Sequence, residues 1–447
     1  MPLPALLRPP VSTLGISGPA ESSQSETAAQ PDEPAEDPEP RATLKLAPAD
    51  GAPAVAESVY TRPFFIAFAA NIALVTGNVM SFRFAEFVKF LGGTEEITGR
   101  IVAFGLVLSL VIRLFAGQAM DRWGIRRIWI ISAISFLTGT VWIALSPDLS
   151  WPIYIARGVF VVGLATMFAC SVAQIQTMAP PHRRTELIGT FGASGFLGMI
   201  IGAQLVDLIF KYLPDGRERY LVTFSWIVVM GLVNLSLALW LTHGEAPMTG
   251  RRTPALGRLL KRYFPSSILL VTLTMGLGFA VTTVFLTRYA TSIGLTGTRT
   301  FFTAYAVSAF MMRFVTRRWS HTMGRYRMIW WGMLGHVVGQ CSLMFIASDW
   351  HLVIPAVCCG FGHALLFPCI VSLGADPFPS GLKATGTTIV LATVDLGTVL
   401  TAPLLGYIID HGGFFPMLML TTTATLVATL WYGSLKFRAV DHEMLPH

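Results

Sequence analysis

Apolar residues fall along this chain in long runs, separated by short loops that carry most of the arginines. The runs lie near 63–90, 99–118, 126–146, 152–177, 187–210 and 221–242. After a polar stretch they resume near 266–290, 300–317, 328–347, 352–374, 384–408 and 413–435. A run of roughly 18 to 25 residues, as a helix rising 1.5 Å per residue, crosses about 30 Å of hydrocarbon. A segment with no water around it must hydrogen-bond its own backbone, so the runs predict helices. The pattern thus predicts an all-α membrane protein of twelve transmembrane helices.

Composition agrees. Hydrophobic residues make up 53% of the 447 positions and charged residues 13%, against about 25% charged in soluble domains. Residues 1–61 differ: Glu21 to Pro40 is rich in Ser, Glu, Asp, Pro and Gln. Such a stretch buries too little surface to offset its ordering entropy, which predicts a disordered tail. Prolines at 2, 4, 9 and 10 interrupt any signal-peptide core, so the first span is expected to act as an uncleaved anchor. The expected organisation is a tail over 1–61, a six-helix bundle over 62–242, a loop over 243–264, a second bundle over 265–438 and a short tail over 439–447.

The net charge of +7 is distributed by topology. Numbered from an inside N-terminus, the even loops and the final tail hold 17 basic residues, among them Arg122, Arg126, Arg127, Arg183, Arg184, Arg251, Arg252, Arg317, Arg318 and Lys383. The odd loops hold 8: Arg83, Lys89, Arg100, Lys211, Arg217, Arg219, Arg288 and Arg299. The bias predicts a multi-pass protein of the inner cell membrane with both termini in the cytoplasm. It points to anionic lipid rather than nucleic acid as the partner of the positive charge. Cys170, Cys341, Cys358, Cys359 and Cys369 all fall within spans, and none has a histidine at zinc spacing. They read as small packing residues, with no metal and no cofactor expected.

The halves repeat. Arg113, Gly124 and Arg127 recur 200 residues later as Arg313, Gly324 and Arg327; Gly163, Cys170 and Gly198 recur 199 later as Gly362, Cys369 and Gly397. A nearly constant offset predicts two six-helix bundles related by a pseudo-two-fold axis, with a solute site near the midplane between them.

Between spans 2 and 3 stands Gly117-Gln-Ala-Met-Asp121-Arg122-Trp-Gly124-Ile-Arg126-Arg127. It closely resembles the signature loop of the major facilitator superfamily, and the resemblance covers everything after the tail. Gly117 permits close helix approach and Gly124 a tight reversal. Asp121 with Arg122, Arg126 and Arg127 is expected to form a charge cluster that makes and breaks as the halves rock. In the family this cluster steadies the outward-open state. The second-half copy has Arg317 and His321 where Gly and Asp would stand, so it is expected to contribute less. Gly189, Gly198, Gly202 and Ala203 in span 5 resemble the family's antiporter signature, with Ala203 in place of proline. Arg157 in span 4 resembles a buried arginine used in proton coupling. In this fold helices 1 and 7 approach at the outer side, which offers Glu86 and Arg288 as an outer gate pair.

Asp395 stands mid-span among Val394, Leu396, Val399 and Leu400. An intramembrane carboxylate is costly and marks a functional site, here a proton carrier or a static partner of a buried arginine. Asn71, Asn78, Gln174, His336 and His363 are candidate cavity groups, with Gln340 beside them. No G-x-x-x-x-G-K-S/T motif is present, so an ion gradient, not ATP, is the expected drive. No nucleophile–base constellation suggests an enzyme. The expected function is secondary active transport of a small organic solute by alternating access, as a monomer, through proton-coupled efflux. Proton-coupled uptake of a metabolite, or a non-transporting membrane sensor, are the alternatives.

Overall fold

The computed structural model describes residues 59–244, 254–295 and 298–443. The expected tail over 1–61 lies almost wholly outside the described residues, as do residues 245–253 of the central loop. Twelve long helices follow in order: α1 (Arg62–Phe90), α2 (Glu95–Trp123), α3 (Ile125–Leu145), α4 (Trp151–Met178), α5 (Arg184–Tyr212) and α6 (Arg217–Leu241). After a short amphipathic helix, Leu256–Tyr263, come α7 (Ser266–Ser292), α8 (Arg299–Thr316), α9 (Arg325–Leu343), α10 (Val353–Ala375), α11 (Lys383–Gly412) and α12 (Phe414–Glu443).

Among the described residues, ten of these are apolar enough to cross a bilayer by composition alone. The other two are α8 and α9. The first carries Arg299 and Arg313, the second Arg325, Arg327, His336 and Gln340. Both take their place in the bundle, α8 against α5 and α10, and α9 against α10 and α12. The last helix continues to Glu443, beyond the expected end near 435, although its apolar stretch stops at Leu435.

The two halves pack alike. In the first, α3 lies on α4, α2 on α4, and α1 on α5 and α6; in the second, α9 lies on α10, α8 on α10, and α7 on α11 and α12. The closest approaches depend on glycine. A Cβ on Gly163 would meet Phe136 backbone nitrogen at 2.4 Å, and one on Gly362 would meet Gly332 carbonyl oxygen at 2.7 Å. The halves meet through α2 and α5 of one and α11, α8 and α10 of the other, with α4 also touching α11. Apolar side chains such as Ile131, Leu208, Leu404 and Val427 cover the outside. Exposed aromatics gather at the two rims: Trp151, Tyr212 and Trp350 at one, Trp123 and Trp240 at the other. This is the pattern of interfacial belts.

Two helices change their winding partway. Helix α1 tightens to a 3₁₀ turn over Ser81–Arg83, and α7 loosens to a π turn over Ala280–Phe285.

Candidate functional site

The rim where α2 turns into α3 is closed. Gly124, at φ 89°, ends one helix and begins the next, and Gly324 repeats the turn at φ 81°. At this Gly124 end, α2 lies directly on the start of α11. A Cβ on Gly117 would fall 2.6 Å from Thr385 Cα and 2.8 Å from Ala384 carbonyl oxygen. One turn on, the buried Asp121 carboxylate accepts hydrogen bonds from Ala384 N at 3.1 Å, from Thr385 N at 2.8 Å and from the Thr385 hydroxyl. The partners of Asp121 among the described residues are thus two free N–H groups and a hydroxyl at a helix N-terminus, not the neighbouring arginines. A carboxylate there satisfies orphan donors and the helix dipole together. The expected charge cluster is instead a cap reaching across the halves. Arg126 donates to Thr242 and Leu239 carbonyls at the end of α6, and Arg122 stacks on Trp123. Arg127 is exposed.

More bonds close this rim. Arg184 of α5 pairs with Asp376, which also holds Arg325. Thr185 and Ser372 hydroxyls lie 2.8 Å apart, and Gln176 Nε2 donates to Thr387 Oγ1 at 2.8 Å. Just outside the spans, Tyr60 donates to Glu186 at 2.8 Å. Burial first, and the Glu186 carboxylate beside it, push the Tyr60 phenol up, so it stays a donor.

Above this seal, between the halves, lies a cavity of about 340 Å³. It is lined by α1, α2, α4 and α5 of one half and α7, α8, α10 and α11 of the other. Its wall runs from Arg313, one turn from the end of α8, to Phe301 and Phe302 in that helix's first turn at the opposite rim. Most of the lining is aromatic or aliphatic. The charged residues lining it are Arg113, Arg313 and Asp395.

Asp395 is not alone. It forms an ion pair with Arg113, a link from α11 to α2 across the halves, and Arg113 also donates to Ala165 carbonyl oxygen at 3.3 Å. The Asp395 side chain keeps 40% of its surface exposed because it faces the cavity. Asn71 lines the wall and donates to Ser194 at 2.7 Å. His363 also lines it, stacked parallel on Phe367 with ring centroids 5.6 Å apart.

Other expected cavity groups lie elsewhere. Gln174 of α4 is buried towards the Gly124 end, and Asn78 stands two turns beyond Asn71, past the lining. His336 belongs to α9, which does not line the cavity; its ring fills the space beside Gly362. Arg157 lies over the rings of Phe84 and Phe160, at 4.6 and 4.9 Å from their centroids, away from the lumen. Glu86 pairs with Arg83, which also holds Asp207 at 2.9 Å, while Arg288 is exposed on α7. Of the span-5 glycines, Gly198 and Gly202 lie against α1, where a Cβ on either would meet a carbonyl oxygen at 2.7 Å, while a Cβ on Gly189 would meet nothing nearer than 3.7 Å. Arg113 and Arg313 line the cavity without having been among the expected cavity groups. Their signal was present, since both marked the internal repeat.

The family model of the Major Facilitator Superfamily matches residues 64–398 and 268–443. An uncharacterised MFS-type transporter of Pseudomonas aeruginosa is 23% identical over 350 residues, covering 75% of this chain and 83% of that protein. Among solved structures, FucP in the outward conformation superposes with a TM-score of 0.65 at 17% identity, covering 84% of this chain and 99% of that one. The proton:xylose symporter XylE gives 0.64 at 17% identity, covering 83% and 93%.

Proposed function

The chain belongs to the major facilitator superfamily, and from that premise we propose that it exports a small organic solute in exchange for protons, with Asp395 as the proton carrier. Secondary transport by alternating access comes with the family. The observation that carries the coupling is the Arg113–Asp395 pair, set in the cavity wall and joining the two halves. A proton on Asp395 removes one charge of the pair and leaves a hydrogen bond, weaker than the ion pair it replaces. The contact between α2 and α11 then loses part of its stabilisation on the cavity side of the Gly117 and Asp121 seal. The equilibrium between the two orientations shifts accordingly.

The basic loops support a cytoplasmic Gly124 end, and on that reading the described conformation faces outward. In it Asp395 takes a proton from outside while solute leaves. Once the Gly124 end opens, the proton passes to the cytoplasm, Arg113 recovers its partner and solute enters. Export rests on the span-5 glycine pattern, and its direction is read by the same assay as the coupling.

Proteoliposomes holding an imposed pH difference provide that assay. A coupled solute collapses the difference and accumulates on the acidic side. Asp395→Asn should abolish both while exchange of labelled for unlabelled solute continues. An Asp395→Asn protein that still concentrates solute against its gradient removes this carboxylate from the mechanism.

A further inference from the structure

We infer that the cavity takes an organic anion with an aromatic body, an aryl carboxylate in the simplest form, and that Arg313 holds its anionic group. This rests on the carrier reading above and names the substrate class of the same site.

Arg113 and Arg313 occupy equivalent positions on α2 and α8. Gly198 and Gly397 relate α5 to α11 by an offset of 199, and the same offset carries Phe196 onto Asp395. Each arginine faces the corresponding position of the other half. Arg113 meets Asp395; Arg313 meets the ring of Phe196, with its Cζ 5.8 Å from the centroid. Where the first arginine has a carboxylate, the second has a phenyl ring.

Arg313 is therefore short of a counter-charge. It is 2% exposed, and its Nε and Nη1 are buried without an acceptor among the described residues. Its neighbours are the rings of Phe196 and Phe367 and the bare backbone of Gly192, where an added Cβ would lie 3.0 Å from the guanidinium carbon. A ring face offers a cation some attraction, but a guanidinium taken out of water needs hydrogen-bond acceptors to recover its solvation. Among the described residues the lining holds two arginines and one carboxylate, one positive charge in excess. A planar carboxylate matches the guanidinium fork. The ligand's body would lie among Phe279, Phe302, Phe367 and His363. The volume of about 340 Å³ sits at the small end of the roughly 300–1,000 Å³ common for small-molecule sites, enough for one or two rings.

The test uses the purified full chain in detergent, read by thermal shift and by calorimetric Kd. The probes are benzoate and 2-naphthoate, their neutral amides, and nitrate. We expect the acids to stabilise the protein and to bind at least about tenfold tighter than the amides, the discrimination typical of a charge-assisted hydrogen bond. Arg313→Gln should lose that preference. Phe196→Asp, which gives Arg313 an internal partner, should lose it too with the arginine in place. If Arg313→Gln does not fold, Phe196→Asp and the acid–amide comparison in the wild type decide. The inference is overturned if neither acid stabilises the protein, if the amides bind as tightly, if nitrate reproduces the whole shift, or if both variants bind 2-naphthoate like the wild type. Equilibrium binding needs no gradient. A proton-coupled carrier that ignores the acids sinks the substrate class alone, and acid binding without coupled flux sinks the coupling alone.

Discussion

Replacing Gly117 by alanine should unseat the closed rim without touching the cavity. The added Cβ would lie 1.9 Å from Thr388 Oγ1, which can rotate away, but also 2.6 Å from Thr385 Cα and 2.8 Å from Ala384 carbonyl oxygen, which belong to backbone. Carbon atoms rest at about 3.5–4.0 Å, so α2 and α11 must part by about 1 Å. Asp121 then loses its hold on Ala384 and Thr385, now bonded at 3.1 and 2.8 Å. Overpacking and weakened charge-assisted bonds together cost about 2–3 kcal/mol. The cost falls on the described conformation alone, because the contact exists only while this rim is shut. The population should therefore move towards opening at the Gly124 end by about 30- to 140-fold. A reporter is at hand in Ser372, fully buried in the seal. In a protein freed of its five native cysteines, the thiol introduced by Ser372→Cys should react with maleimide at least about tenfold faster once Gly117→Ala is added. Gly99→Ala is the control, since an added Cβ there meets nothing within 4 Å. An unchanged rate in a well-folded Gly117→Ala protein, or an equal rise in the control, would mean that the α2–α11 contact does not hold this rim shut.

Two further predictions concern orientation and the opposite rim. The thiol introduced by Gln118→Cys, beside Asp121, should resist an impermeant reagent applied to intact cells and react in inverted vesicles; labelling from outside reverses the assigned topology. In the described conformation Glu86 is held by Arg83 and its side chain is 44% exposed, so that pair contributes only about 0.2–1 kcal/mol and leaves Glu86 free to change partner when the opposite rim closes. Glu86→Arg and Arg288→Glu should each lower transport and restore it when combined; a double variant as inactive as either single one rules out their meeting.

Run length alone delivered the twelve helices, because a span must be long and apolar whatever it packs against. It delivered even α8 and α9, whose Arg313, His336 and Gln340 are buried in the protein rather than set in lipid. What run length does not contain is the direction each helix faces. His336 and His363 look alike in sequence, both mid-span, yet α10 lines the cavity and α9 stands behind it. Arg313 was hidden by its place three residues from the end of α8, where an arginine ordinarily reaches for the membrane surface. Asp395 was legible as a costly charge, but its partner lies on a helix 282 residues away. The sequence offered a buried arginine as that partner without saying which, and the repeat marked Arg113 without joining it to Asp395.

The interrupted winding of α1 and α7 gives the molecule a pair of joints. Beyond Ser81–Arg83 and Ala280–Phe285 lie Phe84–Phe90 and Leu286–Ser292, two stubs of seven residues each, roughly 10 Å long. Aligning Gly92 with Gly294 sets the two interruptions at matching heights, one overwound and the other underwound. A flex at either joint would swing its stub like a fingertip and leave Asn71 and Met275, below it in the wall, where they are. The mouth of such a vessel can be narrowed by its fingertips without the palm having moved.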